Sequence, residues 1–141
     1  MTGQPASRRT VLCGAALAGA AGLGSAACSP AGSGRKASPT PTAPVDLGAA
    51  DAVPAGGAKI YREDRVVVSR TAEGRYTAFS AVCTHRGCVV DSVEDGKISC
   101  PCHGSVFDAR TGKVLQGPAT APLPSVPVRT KGGKLVAGPD A

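Results

Sequence analysis

Beyond residue 44 the apolar positions come in short runs, and turn-forming pairs interrupt them at close intervals. Val66-Val67-Val68, Tyr76 to Val82, Val89-Val90, Ile98, Val114-Leu115, Val126 to Val128 and Leu135-Val136 read as strands. Between them stand Glu73-Gly74, Asp95-Gly96-Lys97, Thr111-Gly112-Lys113 and Gly132-Gly133, residues that suit hairpin turns. No window after residue 44 repeats apolar residues at the helical period. The pattern predicts a small all-β, antiparallel barrel or sandwich over residues 45–141.

Composition sharpens this expectation. The 141 residues include 19 Gly, 12 Pro and only four aromatic side chains, with no Trp. A core so poor in large side chains needs a cross-link, a metal or both. The formal charge of +6 includes Arg8 and Arg9, which sit in an apparent leader; 14 basic and 10 acidic residues remain. They are scattered rather than clustered, which argues for a solvated surface and against nucleic-acid binding.

Chemistry is concentrated in two boxes, Cys83-Thr84-His85-Arg86-Gly87-Cys88 and Cys100-Pro101-Cys102-His103-Gly104-Ser105. They hold both histidines of the chain and four of its six cysteines. The first follows Val82 and the second follows Ile98-Ser99, so a hairpin through Asp95-Gly96-Lys97 would lay the two side by side. Cys-x-His and Cys-x-x-His together offer two thiolates and two imidazoles, a set that also suits tetrahedral zinc. Cys88 and Cys102 then remain beside the metal. As free thiols they would compete for it; joined to each other they would lock one loop to the other.

Residues 1–27 read as a targeting segment. Ser7-Arg8-Arg9-Thr10-Val11-Leu12 resembles the twin-arginine export signal, and an uncharged Ala/Gly-rich stretch runs from Val11 to Ala27. Cys28 follows Ser25-Ala26-Ala27 and resembles the lipid-attachment cysteine of bacterial lipoproteins, with Ser25 where those proteins usually carry Leu. Residues 28–44 are rich in Ser, Pro, Gly and Thr and are expected to form a tether. At about 3.1 Å per residue it would reach on the order of 50 Å when stretched.

The two boxes closely resemble the signature of Rieske iron–sulfur proteins of the disulfide-bearing, quinol–cytochrome c oxidoreductase type. The resemblance implies one 2Fe–2S cluster, with Cys83 and Cys100 on one iron, His85 and His103 on the other, and a Cys88–Cys102 bridge. Two neutral imidazoles in place of two thiolates leave less negative charge on the cluster. Family potentials accordingly run from about −150 to +300 mV, against about −400 mV for all-cysteine plant-type clusters. The resemblance further assigns Ser105 as a hydroxyl donor to a bridging sulfide and Gly117-Pro118-Ala119 as a covering loop. Two positions depart from the quinol-oxidising members. Phe107 stands where high-potential members carry Tyr, and Arg86 stands where an apolar Leu is usual.

The twin-arginine route carries folded proteins with cofactors in place, so leader and boxes support one another. The implied function is one-electron transfer at the outer face of the cytoplasmic membrane. The implied partners are cytochrome b and cytochrome c-like subunits or another oxidoreductase, with attachment to the membrane through the leader or a lipid on Cys28. A stand-alone tethered carrier is the second reading and a zinc-bound adaptor the third. An oxygenase would need a further 2-His-1-carboxylate iron site, and both histidines are already committed.

Overall fold

The computed structural model describes residues 39–141; the leader, Cys13 and Cys28 fall outside the described residues. Eleven short strands make three antiparallel sheets. β1 (Val45–Ala49), β11 (Lys134–Ala137) and β10 (Val128–Lys131) form the first. The second orders β2 (Ala58–Tyr61), β3 (Val66–Arg70), β4 (Tyr76–Ser80) and β9 (Ser125–Val126). The third, which carries the second box, runs β5 (Ser92–Glu94), β6 (Lys97–Ser99), β7 (Val106–Asp108) and β8 (Val114–Gln116). A single 3-10 turn, Ala50–Ala52, follows β1. Among the described residues no helix is long and apolar enough to cross a membrane.

The unbroken Val66-Val67-Val68 run has a plain cause. β3 lies between β2 and β4 and is buried on both faces. Alternate side chains point to opposite faces of a strand. Val67 therefore joins one core with Phe79, Ile98 and Phe107, while Val66 and Val68 join another with Val53 and Leu135. The first core lies directly beneath the two boxes, because Cys83 and Cys100 belong to it.

Asp95 and Gly96 both take positive φ, 49° and 72°, between β5 and β6. Two such residues in succession make the hairpin turn whose twist matches the flanking strands. Gly132 and Gly133 do the same between β10 and β11.

The strand pattern differs from expectation in several places. The predicted Tyr76–Val82 strand ends at Ser80, and Val82 pairs only through an isolated bridge to Val89. Val126 to Val128 is two strands in two sheets, Val126 opposite Ala78 and Val128 opposite Ala137. Pro127 between them has no N–H to donate to a ladder, so the chain changes sheet there. β1, β2, β5 and β7 were not foreseen. Three of the four have only three or four residues, too few for a period, and β1 is broken by a register shift between Asp46 and Gly48. Before β1, the Pro39 carbonyl accepts a hydrogen bond from the buried Ser80 hydroxyl.

Candidate metal centre

The two boxes are the same small loop used twice. In the first, the Cys83 N–H donates to the Cys88 carbonyl at 2.7 Å and the Gly87 N–H donates to the Cys83 carbonyl at 2.9 Å. In the second, the Cys100 N–H donates to Ser105 at 2.9 Å and the Gly104 N–H to Cys100 at 3.1 Å. Each loop thus closes on its first cysteine. Each turns at a glycine of positive φ, 83° at Gly87 and 74° at Gly104, where a side chain would be strained.

Closure on the cysteine sets the depth of the donors. Cys83 and Cys100 sit at the loop bases, 2% and 3% exposed, whereas His85 is half-buried and His103 is exposed. The two imidazole rings meet edge to face with centroids 4.7 Å apart. The thiols are thus the deeper donors and the imidazole rings the more exposed ones, so the donor set is asymmetric in burial.

Cys88 and Cys102 form a disulfide that joins the loops. Their sulfurs and that of Cys100 lie within 4.8 Å of one another. That trio is nevertheless no ligand set, because bridged sulfurs have no thiolate to give. Cys83 and Cys100 are the free cysteines among the described residues.

Local electrostatics act in opposite senses on the two kinds of donor, disfavouring a free thiolate at Cys100 and favouring a neutral imidazole at His85. Burial pushes the Cys100 thiol up; the Cys102 N–H pulls it back, the neighbouring Cys83 thiol raises it again, and the His103 N–H lowers it. Burial also depresses the His85 imidazole, helped by the nearby His103 and the Arg86 guanidinium. A neutral imidazole is the form that ligates metal. The Nδ1 of His85 is buried and has no hydrogen-bond partner. A buried ring nitrogen seldom lacks a partner, and a metal supplies one.

A third loop closes over both boxes. The Ala119 N–H donates to the Ser105 hydroxyl oxygen at 3.0 Å, which leaves the Ser105 proton free for another acceptor. The Thr84 hydroxyl donates to the Ala121 carbonyl at 2.6 Å, and the Gln116 amide to the Gly104 carbonyl at 3.0 Å. Gly117-Pro118-Ala119 lies within this loop, as the resemblance implied. The tethering roles of Thr84 and Gln116 carry no signal in the sequence, since each depends on a residue at least 12 positions away.

Comparison with known proteins agrees with the geometry. Residues 43–127 match the model of the Rieske 2Fe–2S domain. The chain is 41% identical over 95 residues to the cytochrome b6-f complex iron-sulfur subunit of Chlorobaculum thiosulfatiphilum, covering 65% of this chain and 51% of that protein. It therefore spans about half the length of the curated relatives it matches. The crystal structure of the plasma membrane Rieske protein PetC3 of Synechocystis PCC 6803 superposes with a TM-score of 0.54 at 34% identity, covering 66% of this chain and 97% of the other. The ferredoxin of carbazole 1,9a-dioxygenase from Nocardioides aromaticivorans superposes at 0.53 with 26% identity, over 70% of this chain and all of the other. With its buried thiols, more exposed imidazoles and bridged loops, the chain belongs to the Rieske 2Fe–2S domain family and carries one cluster of that type.

Proposed function

We propose that the protein is a one-electron carrier of the cell envelope, with Cys83 and Cys100 holding one iron and His85 and His103 the other. The buried, partnerless Nδ1 of His85, paired with buried thiols of Cys83 and Cys100, is the observation that carries this reading. A bound 2Fe–2S cluster supplies one-electron redox chemistry at the raised potential of mixed ligation. The chain supplies the asymmetry. Burial excludes water from the cysteine side, and the exposed His103 gives a short path to a partner.

The assembly proposed is the iron–sulfur subunit of a quinol–cytochrome c oxidoreductase-like complex, as in the cytochrome b6-f relatives. In the proposed organisation a twin-arginine segment, residues 1–27, directs export. Residues 28–44 tether the domain, residues 45–141, to the outer face of the membrane through the leader or a lipid on Cys28. A second reading, a stand-alone tethered carrier, draws on the cation at position 86 and on the near-complete coverage of two short Rieske chains.

The purified full chain is expected to be coloured, to bleach with dithionite and to give a reduced-state EPR signal that His85→Ala and His103→Ala abolish. Colourless protein with one zinc or no metal would overturn the reading. Co-purification with a cytochrome b subunit separates the first assembly from the second.

A further inference from the structure

Beside the first box lies a cleft of about 840 Å³ that the metal donors do not fill. Pro39, Val82 and Val89 give it apolar surface, and Arg65, Arg86 and His85 line it as well. Arg86 is exposed at the loop tip. Residues 83–90, 100–107 and 117–124, the three segments around the metal centre, hold no acidic side chain and no cation except Arg86. Arg65 is brought in from the β2–β3 turn. Its carbonyl accepts the Ala81 N–H at 2.7 Å, two residues ahead of Cys83, which fixes it against the base of the first box.

Arg65 also holds φ at 57°, in the left-handed region that costs an L residue about 1 kcal/mol. Such strain persists where the surrounding structure enforces it and gathers at functional sites. Among the described residues the one ion pair joins Lys134 to Asp46, so neither Arg65 nor Arg86 is neutralised by contact. Glu63 and Asp64 share an adjoining depression with Arg65 but reach ion-pair distance of neither guanidinium. Two uncommitted cations therefore flank apolar surface beside a histidine of the metal centre.

We infer that this cleft is the docking seat of an acidic redox partner, a protein surface presenting carboxylates around an apolar residue, with Arg65 and Arg86 as the pairing cations. The inference rests on the carrier reading and names the partner's chemistry. Docking there would bring the partner against His85, where a bound, reduced 2Fe–2S cluster would be oxidised by one electron and the partner reduced by one, with no bond made or broken. Opposite charge would act chiefly on encounter, raising association at low salt.

Stopped-flow oxidation of the reduced full chain tests this with an anionic acceptor, ferricyanide, and a cationic one, tris(phenanthroline)cobalt(III). Each accepts one electron, so any change in driving force acts on both, and their rate ratio isolates local charge. Arg86→Gln and Arg65→Gln should each lower the ferricyanide-to-cobalt ratio about threefold at low salt, with the effect fading as salt rises. Lys113→Gln, which removes equal charge elsewhere, should leave the ratio within about 1.5-fold. A fluorescein-labelled Glu-rich peptide containing one Leu provides an arm that needs no cluster; the double Arg variant should weaken its binding at least about fivefold. Equal effects from the Lys113 control and the Arg variants in both arms would overturn the seat. A chain without a reducible cluster would sink the carrier reading, while the peptide arm would still decide the docking seat.

Discussion

The Ser105 hydroxyl oxygen accepts the Ala119 N–H at 3.0 Å, and Ser105 is completely buried. One side chain thus pins the covering loop to the second box while keeping a proton to donate. Ser105→Ala would leave the Ala119 N–H unpaired in a buried place, at a cost of about 1–3 kcal/mol in stability. The resemblance to Rieske proteins assigns that proton to a bridging sulfide, a bond that would favour the reduced state and that the substitution would remove. We expect the reduction potential to fall by roughly 60 mV, the one-electron equivalent of a tenfold change in equilibrium. Protein-film voltammetry and thermal melting measure the two effects. An unchanged potential would remove Ser105 from the redox role and leave it a loop fastener.

Phe107 is also fully buried, on β7 opposite Ile98, and shares its core with Cys83 and Cys100. It has no group to donate to a ligand sulfur. The protein should therefore titrate below the top of the Rieske range, about +300 mV. Phe107→Tyr should raise the potential, and adding an oxygen to a packed core should cost about 1–3 kcal/mol. A wild-type potential at the top of the range would contradict this account.

The chemistry of the centre was more legible in the sequence than its framework. Two boxes with both histidines announce a metal site because imidazole and thiol donors at ligand spacing are rare by chance. The loop closures at Gly87 and Gly104 follow from box composition, where glycine permits the left-handed turn. Arg65 gave no such signal. It reaches the first box only because its carbonyl meets Ala81 across 16 residues, a tertiary contact with no local pattern. The same holds for β5 and β7, three-residue strands defined by their partners rather than by alternation.

Asp108 ties the β7–β8 turn that leads to the covering loop. Its Oδ1 accepts the Thr111 N–H at 2.7 Å, the Thr111 hydroxyl at 2.8 Å and the Arg110 N–H at 3.0 Å. Burial alone would raise this carboxyl; the bonds from Thr111 and Arg110, with the Arg110 charge, outweigh it and hold it below the usual range. A depressed native value stabilises the fold above the unfolded value, about 3.9, and the gain is lost as pH falls through the native one. Asp108→Asn should therefore melt lower than wild type at pH 7, with the gap closing below about pH 4. A gap constant from pH 7 to pH 3 would show that the charge contributes nothing.

The Cys88–Cys102 bridge closes a loop with a sequence separation of 14 that contains the whole β5–β6 hairpin. Restricting a loop of this size in the unfolded chain contributes about 3 kcal/mol in the chain-entropy account. Function gives it a second task. Cys88 ends the first box and Cys102 sits within the second, so the bridge fixes the separation of the loops that carry His85 and His103. Removing the bridge, as Cys88→Ser with Cys102→Ser, should lower the melting temperature and also speed loss of the visible bands in oxidised protein at constant temperature. Lowered melting with an unchanged bleaching rate would confine the bridge to folding. Faster bleaching below the melting transition would show that the imidazole pair is held in place by sulfur rather than by the strands beneath it.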